Sequence, residues 1–181
     1  CWAFSNHDVV RHISRWNISE QAARLYMTLM MCLRGSACLY QGEELGLPEA
    51  EVAFEDLQDP YGKRFWPAFK GRDGSRTPMV WEPDTLNGGF SESMRPWLPI
   101  SHAHLGRTVA TQEKDPLAIL HHYRRAISFR HNHPALMKGE ISEVKCIGTV
   151  LTFHRCLDDE ELFCGFNIGD EPVTIDAPEG R

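Results

Sequence analysis

Three short runs of this 181-residue chain carry side chains with chemistry to offer. Phe4-Ser5-Asn6-His7-Asp8 places an imidazole and a carboxylate directly after a brief apolar run, Trp2 to Ser5. A buried strand that ends in polar residues opens onto one face of a sheet or barrel, and in parallel β/α architectures loops converge there on a pocket. Taken alone, the cluster is better served by a structural role, with Asn6 or Asp8 capping a turn and His7 bonding a backbone carbonyl. Gly71-Arg72-Asp73-Gly74-Ser75-Arg76-Thr77-Pro78-Met79-Val80-Trp81 interleaves two arginines with turn-forming residues. A guanidinium fork suits hydroxyls or a carboxylate, and an indole offers a flat face to a sugar ring. An ordinary surface loop with an ion pair is the plainer alternative. Glu43 and Glu44 adjoin, and adjacent side chains of an extended segment point to opposite sides, so a structural salt bridge is expected there rather than paired acid/base work.

The elements that must hold these runs follow from periodicity. Trp2 to Ser5 and Ala37 to Tyr40 are short apolar runs, each ending in polar residues. Between them Ala22, Leu25, Tyr26, Leu29, Met30 and Leu33 recur at helical spacing, with Ser19 as N-cap and Gly35 as the stop. Strand, helix, strand is a βαβ unit with parallel neighbours. Leu45 to about Lys114 lacks periodicity and is rich in Pro, Gly, Asp and Trp, the mark of a functional loop region containing short pieces of its own. A helix is expected from Pro116, capped by Asp115, to His131. Beyond Pro134 the pattern changes to β-type runs, Ile141 to Ile147, Val150 to Arg155, Leu162 to Asn167 and Pro172 to Ile175, separated by turn residues. An antiparallel segment is expected there, with a domain boundary near Lys138-Gly139.

Composition narrows the function class. The chain is 42% hydrophobic and 10% aromatic, enough for a sizeable core. Its 19 Lys and Arg against 25 Asp and Glu leave a net charge of −6 without long single-sign blocks, which excludes a basic footprint for nucleic acid or an anionic membrane. No apolar run approaches membrane-spanning length, and a cytoplasmic location is expected. The six cysteines show no zinc-type spacing and read as free thiols. The histidines at 102, 104, 121, 122, 131 and 133 lack a matching carboxylate cluster, so neither a metal nor a cofactor is assigned. Trp66 and Trp97, like Trp81, are expected mostly to pack within the loops.

Together, Phe4-Ser5-Asn6-His7-Asp8-Val9-Val10-Arg11, Tyr40-Gln41-Gly42-Glu43-Glu44-Leu45-Gly46 and the Gly71 to Trp81 run resemble glycoside hydrolase family 13, the α-amylase superfamily, in its bacterial α-glucosidase and oligo-1,6-glucosidase branch. The resemblance covers about residues 1 to 139. It implies an α/β fold: the last two β/α units of a (β/α)8 barrel over 1–139, with a long substrate loop, followed over 140–181 by the first strands of an antiparallel β-sandwich domain.

The resemblance further implies retaining hydrolysis through a covalent glycosyl-enzyme intermediate, performed by an Asp nucleophile, a Glu acid/base and a second Asp. Asp8 matches that second Asp, the catalytic residue expected here. His7 and Arg72 match substrate-binding positions, Arg72 closing the far end of an exo-acting pocket together with an aspartate from the first barrel loop. Asn6 and Arg11 are candidates for the pocket edge. Arg76 is close by, with a structural role equally open to it.

The family's nucleophile and acid/base lie upstream of Cys1, so the expectation is a fragment inactive by itself, whose open barrel edges favour self-association. The partner implied is an α-glucoside oligosaccharide. Sucrose- or trehalose-type isomerases share these motifs, and non-catalytic transporter-associated barrels resemble the family too, so both stay open at this point.

Overall fold

A computed structural model describes residues 1–176, and these resolve into two compact units. One comprises residues 1–2, 21–37 and the chain from Tyr123 onward; the other comprises 3–20 and 38–122.

The first unit is built on helix α2 (Glu20–Cys32), helix α6 (Ile119–Asn132), helix α7 (Pro134–Lys138) and a three-stranded antiparallel sheet. The strands β1 (Glu140–Ile147), β2 (Val150–Leu157) and β3 (Glu160–Asn167) pair in sequence order. Ile147 pairs with Val150 and Leu157 with Glu160, so both connections are two-residue hairpins. Gly148 (φ +58°) and Asp158 (φ +51°) supply the positive φ that such turns demand. Cys32, Leu136, Phe153, Cys164 and Phe166 form the core, with Leu25, Leu29 and Leu33 of the α2 segment packed against it.

Two buried arginines finish this unit. Arg155 donates to the carbonyls of Cys32 (2.6 Å), Gly139 (2.8 Å), Leu136 (3.1 Å) and Glu140 (3.3 Å). Arg130 donates to those of Met31, Gly35 (2.6 Å) and Leu33 (3.0 Å). The last carbonyls of a helix have no partner within it and carry the negative end of its dipole, so guanidiniums are well placed there. The cysteines are free thiols: Cys32 and Cys164 are buried, whereas Cys1, Cys38 and Cys146 are exposed.

Several boundaries differ from the pattern reading. The apolar runs at 2–5 and 37–40 contract to a single parallel bridge, Trp2 with Ala37, supported by Trp2 N–H donating to the Ser36 carbonyl at 2.8 Å. Among the described residues no further strand pairs with either run, so nothing extends the bridge into a ladder. α6 begins at Ile119 rather than Pro116, because Asp115 is spent on the preceding turn, where its side chain accepts from Leu117 N–H at 2.9 Å. The fourth β-type run, Pro172 to Ile175, forms no strand. Ile175 instead lies over Gly165, where a Cβ would come within 3.5 Å of it.

The second unit holds helices α1 (His12–Trp16), α3 (Pro60–Phe65), α4 (His102–Leu105) and α5 (Val109–Glu113), with short 3-10 turns at Glu43–Leu45, Phe54–Asp56, Asp73–Ser75 and Leu86–Gly89. It has two small apolar clusters, Leu45, Leu47, Met79, Val80 and Leu120 in one and Val52, Leu57 and Leu98 in the other. The aperiodic stretch is thus a chain of short pieces around modest cores, as its composition suggested.

Candidate active site

The site lies wholly in the second unit and starts from a turn. Asn6 Oδ1 accepts from the Asp8 N–H at 2.8 Å, a side chain standing in for a backbone turn bond. Ser5 Oγ accepts from His12 N–H at 2.9 Å and lies 3.0 Å from His12 Nδ1, tying the start of the turn to the first residue of α1. Asp8 is left half-exposed, with its Oδ2 3.3 Å from His7 Nε2.

Its other oxygen is heavily engaged. Arg72 Nη1 donates to Asp8 Oδ1 at 2.9 Å and Arg76 Nη2 donates to the same atom at 3.2 Å. Arg76 Nε also donates to the His7 carbonyl at 2.8 Å, so Arg76 fixes both the carboxylate and the backbone beneath it. Charge-assisted bonds of this kind are about twice as strong as neutral ones. Two of them on one oxygen set the plane of the carboxylate and leave Oδ2 beside His7.

Behind the arginines stand two buried aspartates. Asp59 caps α3, with Pro60 at the first helical position and Asp59 Oδ1 accepting from Tyr61 N–H at 3.2 Å. The same carboxylate takes the side of Arg72: Oδ2 accepts from Nε at 2.8 Å and from the backbone N–H at 2.9 Å, and Oδ1 from Nη2 at 3.0 Å. This fork holds the Asp59 carboxyl well below the usual carboxylate range and raises Arg72. Asp73, fully buried, accepts from the N–H groups of Gln58 (2.6 Å) and Asp59 (2.8 Å) through Oδ2. The two segments approach this closely because a Cβ on Gly62 would sit 2.7 Å from the Lys70 carbonyl, and one on Gly71 2.9 Å from Gly62 Cα. Gly71 also holds φ +84°, where glycine has no steric penalty.

Asp8, His7 and Arg72, expected from sequence, are therefore brought together, and Asn6 supports them from within the turn. Arg11 is engaged elsewhere: it is buried, and its guanidinium donates to the carbonyls of Gln41 (2.9 Å) and Ser75 (3.0 Å). Arg76 joins the site itself. From sequence, Asp73 stood within the Gly71 to Trp81 run without a role of its own, and Asp59 was not singled out at all, although Asp59-Pro60 bears the same helix-start signature that drew attention to Asp115-Pro116.

Glu43 and Glu44 diverge. Glu44 turns back to accept from Gly42 N–H at 2.8 Å, while Glu43 is buried 3.7 Å from His12 Nδ1. Burial pushes the Glu43 carboxyl up to about 7 and the His12 imidazole down to about 4. Trp66, Trp81 and Trp97, expected to pack inside, remain exposed. For Trp81 the main chain is pinned, its N–H donating to the Gly88 carbonyl at 2.7 Å, while the residue stays exposed. Among the described residues no group of three or more His, Cys, Asp or Glu is arranged to hold a metal, and no helix is long and apolar enough to cross a membrane.

This geometry can be set against known proteins. Residues 1–139 match the alpha-amylase catalytic domain. The chain belongs to the alpha-amylase family. The α/β fold class expected from sequence holds with that assignment: this family member comprises a C-terminal portion of the (β/α)8 barrel and the start of an antiparallel sheet. A probable alpha-glucosidase of Rhizobium meliloti (strain 1021) is 58% identical over all of this chain and 33% of its own length. An oligo-1,6-glucosidase of Heyndrickxia coagulans is 27% identical over 97% of the chain and 36% of its own length. Among solved structures, the alpha-glucosyl transfer enzyme XgtA superposes with a TM-score of 0.90 at 46% identity, over 100% of this chain and 34% of that one. Isomaltulose synthase from Klebsiella sp. LX3 superposes at 0.80 with 27% identity, over 95% and 35%. The alpha-amylase-family chain thus spans about a third of the length of the relatives it matches.

Proposed function

We propose that the protein containing this chain is a retaining, exo-acting α-glucosidase that removes terminal glucose from α-linked oligosaccharides, and that Asp8 is its transition-state-stabilising aspartate. The observation that carries this reading is the half-exposed Asp8 carboxylate, held at Oδ1 by Arg72 and Arg76 with Oδ2 beside His7. A fixed anionic oxygen next to an imidazole can accept hydrogen bonds from two hydroxyls of one sugar ring. As the ring flattens toward an oxocarbenium ion those bonds shorten, and interactions that strengthen only at that point raise the rate rather than merely the affinity. His7 donates to the same sugar, and Asn6 fixes the turn that presents both. In this reading the nucleophile and acid/base belong to parts of the protein outside this chain, the chain alone is inactive, and the boundary between barrel and sandwich lies near residue 139.

The test is turnover of a chromogenic α-glucoside by the whole protein and by its Asp8→Asn and Arg72→Ala variants, beside the 181-residue chain alone. Active parent, silent chain and a loss of at least about tenfold in each variant, roughly 1.4 kcal/mol of transition-state binding, are expected. Turnover by the isolated chain would overturn the assignment of roles.

A second reading, transfer of the glucosyl group to another sugar rather than to water, is favoured by the likeness to the glucosyl transfer enzyme XgtA. Product analysis with and without an added sugar acceptor separates the two.

A further inference from the structure

Asp8 has one oxygen bonded to arginines and one left over, and which is which is decided by how Arg72 is turned. A guanidinium offers more than one donor edge, and a long arginine side chain anchored only by Asp8 would be free to rotate. In this chain the Nε–Nη2 edge is already occupied, by Asp59. We propose that Asp59 is a positioning residue for the reaction: it takes that edge of Arg72, so that Nη1 alone is aimed at Asp8 Oδ1 and Asp8 Oδ2 is turned to the sugar. The inference rests on the glycosidase reading above.

The geometry supports a device set before substrate arrives. Asp59 has no exposed side-chain surface, and both its oxygens are filled, Oδ2 by the Arg72 main chain and Nε, Oδ1 by Arg72 Nη2 and Tyr61 N–H. It therefore reads the backbone and the side chain of the same arginine at once, which fixes the direction in which the guanidinium leaves the chain. Asp59 is itself held, because Asp73 Oδ2 accepts from its N–H and from that of Gln58. Tyr61, the next residue but one, lies with its ring centroid 5.5 Å from the Arg72 guanidinium carbon, a cation–π contact on the flank of the fork. Asp73, Asp59, Arg72 and Asp8 thus form a line of contacts in which only the last is half-exposed. Arg76 reaches the same Asp8 oxygen by a separate route, anchored on the His7 carbonyl, so it supports Oδ1 without selecting the edge that Arg72 presents. Preorganised groups of this kind matter because a displacement of about 1 Å at a reacting centre can cost on the order of a hundredfold in rate.

The decisive experiment uses the whole protein with Asp59→Asn, Arg72→Ala and the double variant, and measures kcat and KM on a chromogenic α-glucoside together with melting temperature. Asp59→Asn keeps the shape and the helix cap while weakening the fork. It is expected to lower kcat about tenfold to a hundredfold with KM moved less than about threefold, and the double variant is expected within about twofold of Arg72→Ala, because Asp59 acts through Arg72. Losses that multiply in the double variant, or a fallen melting temperature with kcat per folded molecule unchanged, would show a merely structural carboxylate and overturn the proposal. A second readout is independent of turnover: with 15N-labelled arginine, the Nε–H signal of Arg72, identified by its absence from Arg72→Ala, is expected to exchange slowly with water in the parent and quickly in Asp59→Asn. An unchanged exchange rate overturns the proposal as well. A wild-type parent with no α-glucoside turnover is a separate outcome, which removes the glycosidase reading and the role of Asp59 in that reaction with it.

Discussion

Each unit of this chain contains a pair of arginines, and they are used in opposite ways. In the first unit Arg130 and Arg155 are buried and donate to backbone carbonyls of the α2 end and of residues 136–140. In the second, Arg72 and Arg76 retain some exposure and donate to carboxylates, converging on Asp8. Carbonyls are neutral and immobile, so an arginine bonded to them is a fastener whose removal costs stability. A carboxylate is an anion with a second oxygen, so an arginine bonded to it shapes an electrostatic surface that a substrate can read. The same residue type is therefore a structural pin where its partners are carbonyls, as for Arg11 in the second unit as well, and marks a site where it reaches an exposed carboxylate, so its partner tells which.

Substitutions should separate the two uses. Arg155→Ala has the largest expected effect: it strands buried carbonyls, each costing about 1–3 kcal/mol, so a loss of about 4 kcal/mol or more in unfolding free energy is expected. The turnover of whatever protein remains folded should be unchanged, and a loss of kcat there would break the comparison.

Glu43 comes next, as a buried carboxylate that faces a histidine instead of a guanidinium fork. Burial raises its carboxyl from the ordinary 4.5 to about 7, so its contribution is fully present below pH 4.5 and is lost as the pH rises through about 7. The difference is about 3 kcal/mol. His12 runs the other way, lowered from 6.5 to about 4, with its contribution lost as the pH falls through that range. The opposed shifts offset one another between about pH 4.5 and 6.5, so melting curves of the whole protein between pH 5 and 8 should be near level in the wild type up to about pH 6.5. Glu43→Gln, left with the His12 shift alone, should lose stability as the pH falls below about 6.5.

Arg76→Lys replaces a fork by a point charge. It should lower kcat/KM about tenfold, roughly 1.4 kcal/mol, with a melting temperature within a few degrees of wild type. The smallest effect belongs to a fully solvated pair, Arg34 with Glu140, where both side chains are more than half exposed. Arg34→Ala should change stability by less than about 1 kcal/mol and turnover not at all.

Much of this contrast was legible in the chain before any coordinates. The α2 helix announced itself by spacing and caps, and three of the four β-type runs became β1, β2 and β3 because short apolar runs punctuated by turn residues leave few alternatives. Pro172 to Ile175 had the composition of a strand, but composition does not supply a partner. On the site side, Asn6-His7-Asp8 and Arg72 stood out because their residue types are chemically conspicuous. Asp59 did not, since an aspartate before a proline is explained in full by capping a helix. Its fork with Arg72, 13 positions further on, depends on two glycines letting separate segments touch, a close approach that residue types and spacing alone do not show.

The placement of the thiols makes the first unit its own clock. Cys32 and Cys164 sit in its apolar core, whereas Cys1, Cys38 and Cys146 face solvent. An alkylating reagent should consume the exposed set at once and then wait for the core to open, so the slow phase of labelling times the loosening of the helix-and-sheet unit in real time. Because Arg155 donates to the carbonyl of Cys32 itself, loosening that guanidinium should quicken the slow phase while the fast phase keeps its rate.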